Sequence, residues 1–358
     1  MNLLEEIENQ KAKSVSIIGM AKNTGKTVTL NHILKLAELS NYKVALTTIG
    51  LDGEDKDKVL NNLKPRILIW ENMIIANAKQ LILESKINFE ILAATGIDSP
   101  LGEIVIARSK ERAFVKLSGP SSKHELKLLK KELARYQPDL ILIDGALDRK
   151  SFSSPALTDA AILTTGAVTA DSINSIVKKV SYQTELFRLK KSQDQKINQI
   201  MAKLDSETKV LIINEDYKKR VLKLKTALNN MEAIIPLIDS KTKAVYFNGA
   251  LVNETINNLL NKCSYLNEIE IIVNDAAHIF INSMLYNRFN AKNGSLKVKD
   301  EINLIGITIN PFSPTGTYLD PIKLLKEVSK AVAPISCYEV VLNKKCSNKG
   351  VEDIGFFK

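Results

Sequence analysis

Between Val15 and Ala37 an apolar run, VSIIG (Val15–Gly19), passes through a glycine-containing loop into Leu30, Ile33, Leu34 and Ala37 at helical spacing. A short buried strand that feeds a helix directly is the opening unit of a parallel sheet, because parallel strands need a crossover between them. The alternation continues down the chain. Lys43–Thr48 reads as a second strand, followed by strand-like runs at Arg66–Trp70, Phe89–Ala93, Glu103–Ala107 and Ala113–Leu117. Ser122 and Glu125 have the spacing of a capping box and open a helix with the stripe Leu126, Leu129 and Leu133. Asp139–Asp144 (DLILID) and Ala160–Thr165 are almost wholly apolar, as strands covered on both faces are. Asp171 is placed to cap a helix carrying Ile173, Ile176, Val177 and Val180 on its inner face.

The polar stretch Lys190–Ser206 reads as a hinge or exposed helix. Beyond it α/β alternation resumes, with strands at Lys209–Ile213, Ala244–Phe247, Ile269–Val273, Ile302–Ile309 and Ile335–Val341. Helices are predicted near Glu254–Leu260, Ala276–Tyr286 and Pro321–Ala331, the last capped by Asp320 with Pro321 at its first position. The expected organisation is a first domain over 1–195, a second α/β domain over 207–345 and a frayed tail over 346–358.

The loop Gly19-Met-Ala-Lys-Asn-Thr-Gly25-Lys26-Thr27 stands between strand and helix, where a phosphate-binding loop belongs. The general pattern is G-x-x-x-x-G-K-[ST]. Here Gly25-Lys26-Thr27 is intact, while Gly19 falls one residue early and Met20 takes the first glycine's position. In this chemistry the backbone N–H groups of Lys22, Asn23, Thr24 and Gly25 surround phosphate, Lys26 reaches the terminal phosphates and the Thr27 hydroxyl ligates magnesium. Lys22 either adds a second positive charge or is simply solvated. The fold class expected is therefore α/β, with a P-loop NTPase-like, mostly parallel doubly wound sheet and a second α/β lobe.

Asp144 ends an apolar strand, as an acid that supports magnesium does. Arg149, close behind it, either stabilises charge on a transferring phosphoryl group or pairs with Asp148. Asp52 and Glu54 follow the second strand at the end of the sheet that faces the ligand crevice, as metal-ligand candidates or as a polar turn. An N-K-x-D or T-K-x-D guanine-reading motif is absent from the sequence, which favours ATP, with Mg2+, over GTP. Asn274-Asp275 and Asn310–Pro314 sit at predicted strand ends, lining either a ligand or partner surface or ordinary turns.

Composition excludes several classes. The three cysteines form no C-x-x-C pair, and with three histidines the chain is poor in zinc ligands. The net charge of +10 comes from lysines spread along the whole sequence, without a basic stripe interleaved with aromatics, so nucleic acid is not an expected partner. No window approaches the ~18 uninterrupted apolar residues of a membrane helix, and Met1–Gln10 lacks Lys and Arg, so no membrane association and a cytoplasmic location are expected.

Four segments together carry a resemblance: Gly19–Asn31 (GMAKNTGKTVTLN), Thr48–Glu54 (TIGLDGE), Ser99–Arg108 (SPLGEIVIAR) and Asp144–Pro155 (DGALDRKSFSSP) followed by LTTGA at Leu163–Ala167. They resemble the KamB-type P-loop subunit of the lysine 5,6-aminomutase reactivating system, over about the first 170 residues. The resemblance implies an ATP-dependent accessory factor for a radical enzyme that uses adenosylcobalamin and pyridoxal phosphate, driving exchange of damaged cobalamin. It implies lysine 5,6-aminomutase as client, a MutS-like ATPase subunit as partner, phosphate and magnesium held by Gly25, Lys26 and Thr27, and metal support from Asp144. A D-x-H-x-x-G cobalamin motif is absent. Two other readings stand beside this one: an ATP-dependent small-molecule ligase resembling dethiobiotin synthetase, and a module that holds nucleotide without turnover.

Overall fold

The computed structural model describes residues 1–52, 66–145, 157–205, 207–222, 224, 230–347 and 350–354, with the side chains of Leu51 and Asp52 outside the description. The chain is a mixed α/β protein that divides into two compact units. Residues Met1–Ser181 and Asn303–Lys358 form the first, and Tyr182–Ile302 the second.

In chain order the first unit contributes α1 (Leu3–Asn9), β1 (Ser14–Gly19), α2 (Lys26–Leu39), β2 (Val44–Thr48), β3 (Ile74–Ala78), β4 (Phe89–Ser99), β5 (Gly102–Ser109), α3 (Lys123–Ala134), β6 (Leu140–Asp144), β7 (Ala160–Gly166) and the first part of α4 (Ile173–Phe187), within which the division between the units falls. The second unit follows with α5 (Gln195–Ala202), β8 (Val210–Asn214), β9 (Lys219–Leu222), β10 (Thr242–Phe247), α6 (Asn253–Lys262), β11 (Glu270–Val273), α7 (Ser283–Ala291) and β12 (Ser295–Val298). The chain then returns to the first unit through β13 (Leu304–Asn310), α8 (Pro321–Val332), β14 (Ser336–Glu339), β15 (Lys344–Ser347) and β16 (Gly350–Asp353).

Among the described residues the first unit holds an eleven-stranded sheet in the order β16-β15-β14-β13-β7-β1-β6-β2-β3-β5-β4. The run from β14 to β3 is parallel, and antiparallel strands finish both edges. Strand β1 lies in the middle and every one of its residues is buried. The strand that follows it, β2, lies beyond β6 on one side, whereas β7, β13 and β14 extend the other side. The sheet therefore changes its direction of winding at β1, and the carboxyl ends of strands at such a switch point open onto a crevice.

Two apolar layers hold this sheet. On one side Leu30, Ile33, Leu34 and Ala37 of α2 pack with Val15, Ile17, Leu142 and Ile162. On the other, Leu126, Leu129 and Leu133 of α3 pack with Ala45, Ile106, Ile141 and Ile143. Burying each Leu or Ile side chain in this way is worth about 2 kcal/mol. The capping box at Ser122 forms as expected, with Ser122 Oγ accepting from Glu125 N at 3.2 Å and the Glu125 carboxylate from Ser122 N at 3.1 Å. Asp320 likewise caps α8, accepting from Lys323 N at 2.8 Å.

His32 sits in α2 within this packing. Burial, with a smaller contribution from Lys35, lowers its pKa from 6.5 to about 4. The unfolded chain therefore binds a proton that the folded chain refuses, so this contribution is intact above pH 6.5 and is lost as pH falls towards 4. The full loss amounts to about 3 kcal/mol. Urea unfolding of His32→Asn at pH 7 and pH 4.5 is expected to show a smaller acid destabilisation than the wild type; equal slopes would contradict the burial of this imidazole.

Several sequence expectations are corrected. The continuous domains 1–195 and 207–345 give way to a discontinuous first unit, because β13 pairs with β7 from Ala161↔Leu304 to Gly166↔Asn310. Within the tail expected to fray, 346–347 and 350–353 belong to β15 and β16, paired from Lys344↔Asp353 to Ser347↔Gly350, while 348–349 and 355–358 lie outside the described residues. Ser172, not Asp171, caps α4: its hydroxyl accepts from Ser175 N at 3.3 Å. Strand β3, which the sequence reading passed over, enters the sheet between β2 and β5. The helix predicted near Ala276–Tyr286 is a short 3-10 turn at Ala276–His278, a strand at Ile279–Phe280 and only then α7.

In the second unit β10, β11 and β12 are parallel, and β8 and β9 add antiparallel strands in the order β9-β8-β10-β11-β12. The stretch Lys190–Ser206, expected as a hinge or exposed helix, contains α5, whose Ile197 and Met201 pack on Leu211, Tyr246 and Ile272. Its cap, Asp194, is pulled down to a pKa of about 2, chiefly by the hydrogen bond from Lys243 Nζ at 2.6 Å, and also accepts from the Tyr217 hydroxyl at 2.9 Å.

Candidate phosphate-binding site

The carboxyl end of β1 runs into Met20–Gly25 and then α2. Gly25 caps the helix in the left-handed conformation, φ 95° and ψ 20°, which a residue with a Cβ resists. A Cβ there would also stand 3.2 Å from Asn310 Cβ. Asn23 has φ 61°, a conformation asparagine tolerates better than most residues.

Gly19 explains how the loop departs from the usual spacing. A Cβ on Gly19 would lie 2.5 Å from Thr24 Oγ1 and 3.2 Å from Lys26 Cδ, so the missing side chain is what lets the loop fold over the end of β1. Met20 is outside the set of residues with positive φ, and its N–H donates to Thr164 O at 3.0 Å as an ordinary extension of the ladder. The glycine that this loop needs for close approach is therefore at 19, and Met20 is compatible with it.

Thr24 is buried, and its hydroxyl is occupied inside the loop, 2.6 Å from Thr164 Oγ1 and 3.1 Å from Ala21 O. Its side chain shapes the loop and leaves its backbone as the part available to a ligand. Asn310 Nδ2 donates to Asn23 O at 3.4 Å, and the Asn310 carbonyl accepts from Ala167 N at 2.9 Å. Thr29 Oγ1 lies 2.8 Å from Thr308 Oγ1, tying α2 to β13. Thr164 is thus a site-building residue that the sequence did not assign, and Asn310, which the sequence left between a ligand or partner surface and an ordinary turn, is a second. The available signal was polar Thr164 and Thr165 ending an otherwise apolar strand, and an Asn in the same place on β13.

Lys22 is exposed, whereas Lys26 and Thr27 are half-buried at the start of α2. The N–H groups of Lys26, Thr27 and Val28 form the first helical turn, which has no intrahelical acceptors, and none finds another backbone acceptor among the described residues. Such a turn carries a partial positive charge suited to an anion. Asp144 ends β6, directly beside β1, in register with Ile17, and is only 2% exposed. Its carbonyl accepts from Thr48 Oγ1 at 2.9 Å and Ile49 N at 3.2 Å, so the end of β6 is fixed from the β2 side as well.

The loop with its glycine cradle and the open first turn with Lys26 and Thr27 follow the carboxyl end of β1, and the neighbouring acid ends the adjacent strand β6. This donor set suits a polyphosphate accompanied by a divalent cation. Arg149 and Glu54 lie outside the described residues, as does the side chain of Asp52. Asn274 and Asp275 belong to the second unit, where they serve local structure. Asn274 accepts from the Tyr246 hydroxyl and donates to Asn248 Oδ1 at 2.7 Å, while Asp275 caps the 3-10 turn and lies 2.9 Å from His278 Nδ1. Among the described residues no group of three or more His, Cys, Asp or Glu side chains is arranged to hold a metal ion, and no helix is long and apolar enough to cross a membrane. Comparison of the chain with protein-family models, with curated proteins and with solved structures finds no match.

Proposed function

We propose that this protein binds a nucleoside triphosphate, ATP with magnesium, on Gly19–Thr27 and uses it to act on a partner protein. The observation that carries the nucleotide reading is Gly25 in the left-handed conformation at the start of α2, at the switch point of a parallel sheet, with Lys26 and Thr27 next in line. In this reading the backbone of Lys22, Asn23, Thr24 and Gly25 surrounds phosphate oxygens, and Lys26 pairs with the terminal phosphates. Thr27 and Asp144 hold magnesium, whose charge offsets that of the phosphates.

The client is proposed from the sequence alone. The segments Gly19–Asn31, Thr48–Glu54, Ser99–Arg108 and Asp144–Pro155 support an accessory role in reactivating a cobalamin-dependent lysine 5,6-aminomutase, alongside a MutS-like ATPase subunit. The test is ATP hydrolysis by the purified chain with magnesium, alone, with the aminomutase and its cobalamin, and with the partner ATPase added. The expected result is hydrolysis that rises when the aminomutase is present. ATP turnover identical with and without client and partner would reject the accessory role, and amide formation on a small carboxylic acid would replace it with the ligase reading.

A further inference from the structure

We infer that the hairpin Pro311–Leu319, at the carboxyl end of β13, is the base platform of this site, on which Phe312 and Tyr318 stack the heterocycle of the bound nucleotide. The inference rests on the nucleotide reading above and extends it from the phosphates to the base. Phe312 is 51% exposed and Tyr318 65% exposed. Single exposed aromatics are ordinary. These two are joined, because they face each other across an antiparallel bridge. Residues directly opposite in such a bridge project from the same side, with Cβ atoms about 5 Å apart.

The turn that carries them is closed by its own hydrogen bonds. Ser313 N donates to Thr317 O at 2.8 Å, Gly316 N to Ser313 O at 2.9 Å and Leu319 N to Pro311 O at 2.9 Å. Gly316 supplies the left-handed residue the turn requires, φ 94°, and Ser313 Oγ lies 2.7 Å from Thr315 Oγ1. A backbone closed in this way leaves only the ring torsions to be ordered on binding, which favours affinity.

The hairpin is also tied to the phosphate loop. Asn310 Oδ1 accepts from Phe312 N at 3.1 Å while Asn310 Nδ2 reaches Asn23 O at 3.4 Å, so one side chain spans from the hairpin to the loop. Only β7 separates β13 from β1, and all three strands are parallel. Their carboxyl ends therefore share an edge, with β13 about 10 Å from β1. A nucleoside triphosphate covers that reach between its phosphates and its base. One end of the Asn310 amide holds the hairpin and the other holds the loop, which makes Asn310 a positioning residue. Stacking tolerates any base, so this platform contributes affinity for ATP and GTP alike.

Calorimetric titration of the full chain and of the double variant F312A/Y318A with Mg-ATP, Mg-GTP and inorganic tripolyphosphate tests the assignment. The variant is expected to lose about tenfold or more in affinity for both nucleotides and nothing for tripolyphosphate. Since both side chains are exposed, its thermal unfolding should match the wild type. A second variant, F312W, should retain ATP affinity, with tryptophan emission that ATP quenches and tripolyphosphate does not. Wild-type nucleotide affinity in F312A/Y318A overturns the platform and leaves the phosphate site standing, in which case the aromatic pair serves another contact such as a protein partner. Equal losses for ATP and tripolyphosphate overturn it too, since the hairpin would then act only through the loop. A wild type that binds neither nucleotide nor tripolyphosphate rejects the phosphate reading itself.

Discussion

Replacing Lys26 by alanine is expected to weaken Mg-ATP binding by about 100-fold or more, equivalent to about 3 kcal/mol, while leaving the fold intact. The side chain follows Gly25 at the first position of α2 and is half-buried, with its Cδ lying over the place where a Gly19 side chain would stand. Its stem therefore runs along the inside of the loop. A charge carried there on a directed stem, beside helix N–H groups, favours an anion. Truncation removes a partner for phosphate and leaves the rest of the cradle in place. Far-ultraviolet circular dichroism and the urea midpoint should stay close to wild type, and calorimetry reports the affinity. Undiminished ATP binding in K26A would remove Gly19–Thr27 from consideration as the phosphate site.

The second large effect is on stability. In Gly166→Ala the new Cβ would stand 2.0 Å from the carbonyl oxygen of Asn310 and 2.8 Å from its carbon, distances that backbone atoms cannot relieve without moving β13 away from β7. Overpacking against a fixed backbone places the expected cost at about 3 kcal/mol, well above the gain from a stiffer unfolded chain. Gly102→Ala is the control. Gly102 also has a special conformation, φ 92°, but a Cβ there meets nothing within 4 Å, so its cost is only that of the left-handed backbone, about 1 kcal/mol. Urea midpoints separate the two. Because Asn310 links the Gly19–Gly25 loop to the Phe312–Tyr318 hairpin, G166A is expected to lower affinity for both tripolyphosphate and ATP, whereas G102A should not alter either. A G166A protein as stable as the wild type would mean that β7 and β13 do not pair as closely as this geometry requires.

What the sequence by itself determined is local. The strands DLILID and Ala160–Thr165, the capping box at Ser122, the Asp320-Pro321 start of α8 and the strand–loop–helix around Gly25 all express short-range rules of periodicity, capping and backbone freedom. Those rules act over a few residues and are legible in one dimension. The placement of Asp144 at the end of a buried strand belongs with them.

Tertiary structure alone decided which strands became neighbours. An apolar run such as Leu304–Asn310 says that it will be buried, but many strands in this chain offer it similar hydrogen bonds and apolar cover. Only the packed whole selects β7, some 140 residues earlier in the chain, and so makes the first unit discontinuous. The same selection brought Thr164 and Asn310 to the loop, because side chains distant in sequence meet only after the sheet has closed its order around β1. Met20 shows the reverse dependence. Its place at the first glycine's position is plain in one dimension, yet the contact made possible by Gly19 is a matter of three-dimensional space, which no spacing rule records. Acidic groups near the site were legible as types, but whether a carboxylate reaches a given point depends on loop paths that sequence periodicity leaves undetermined.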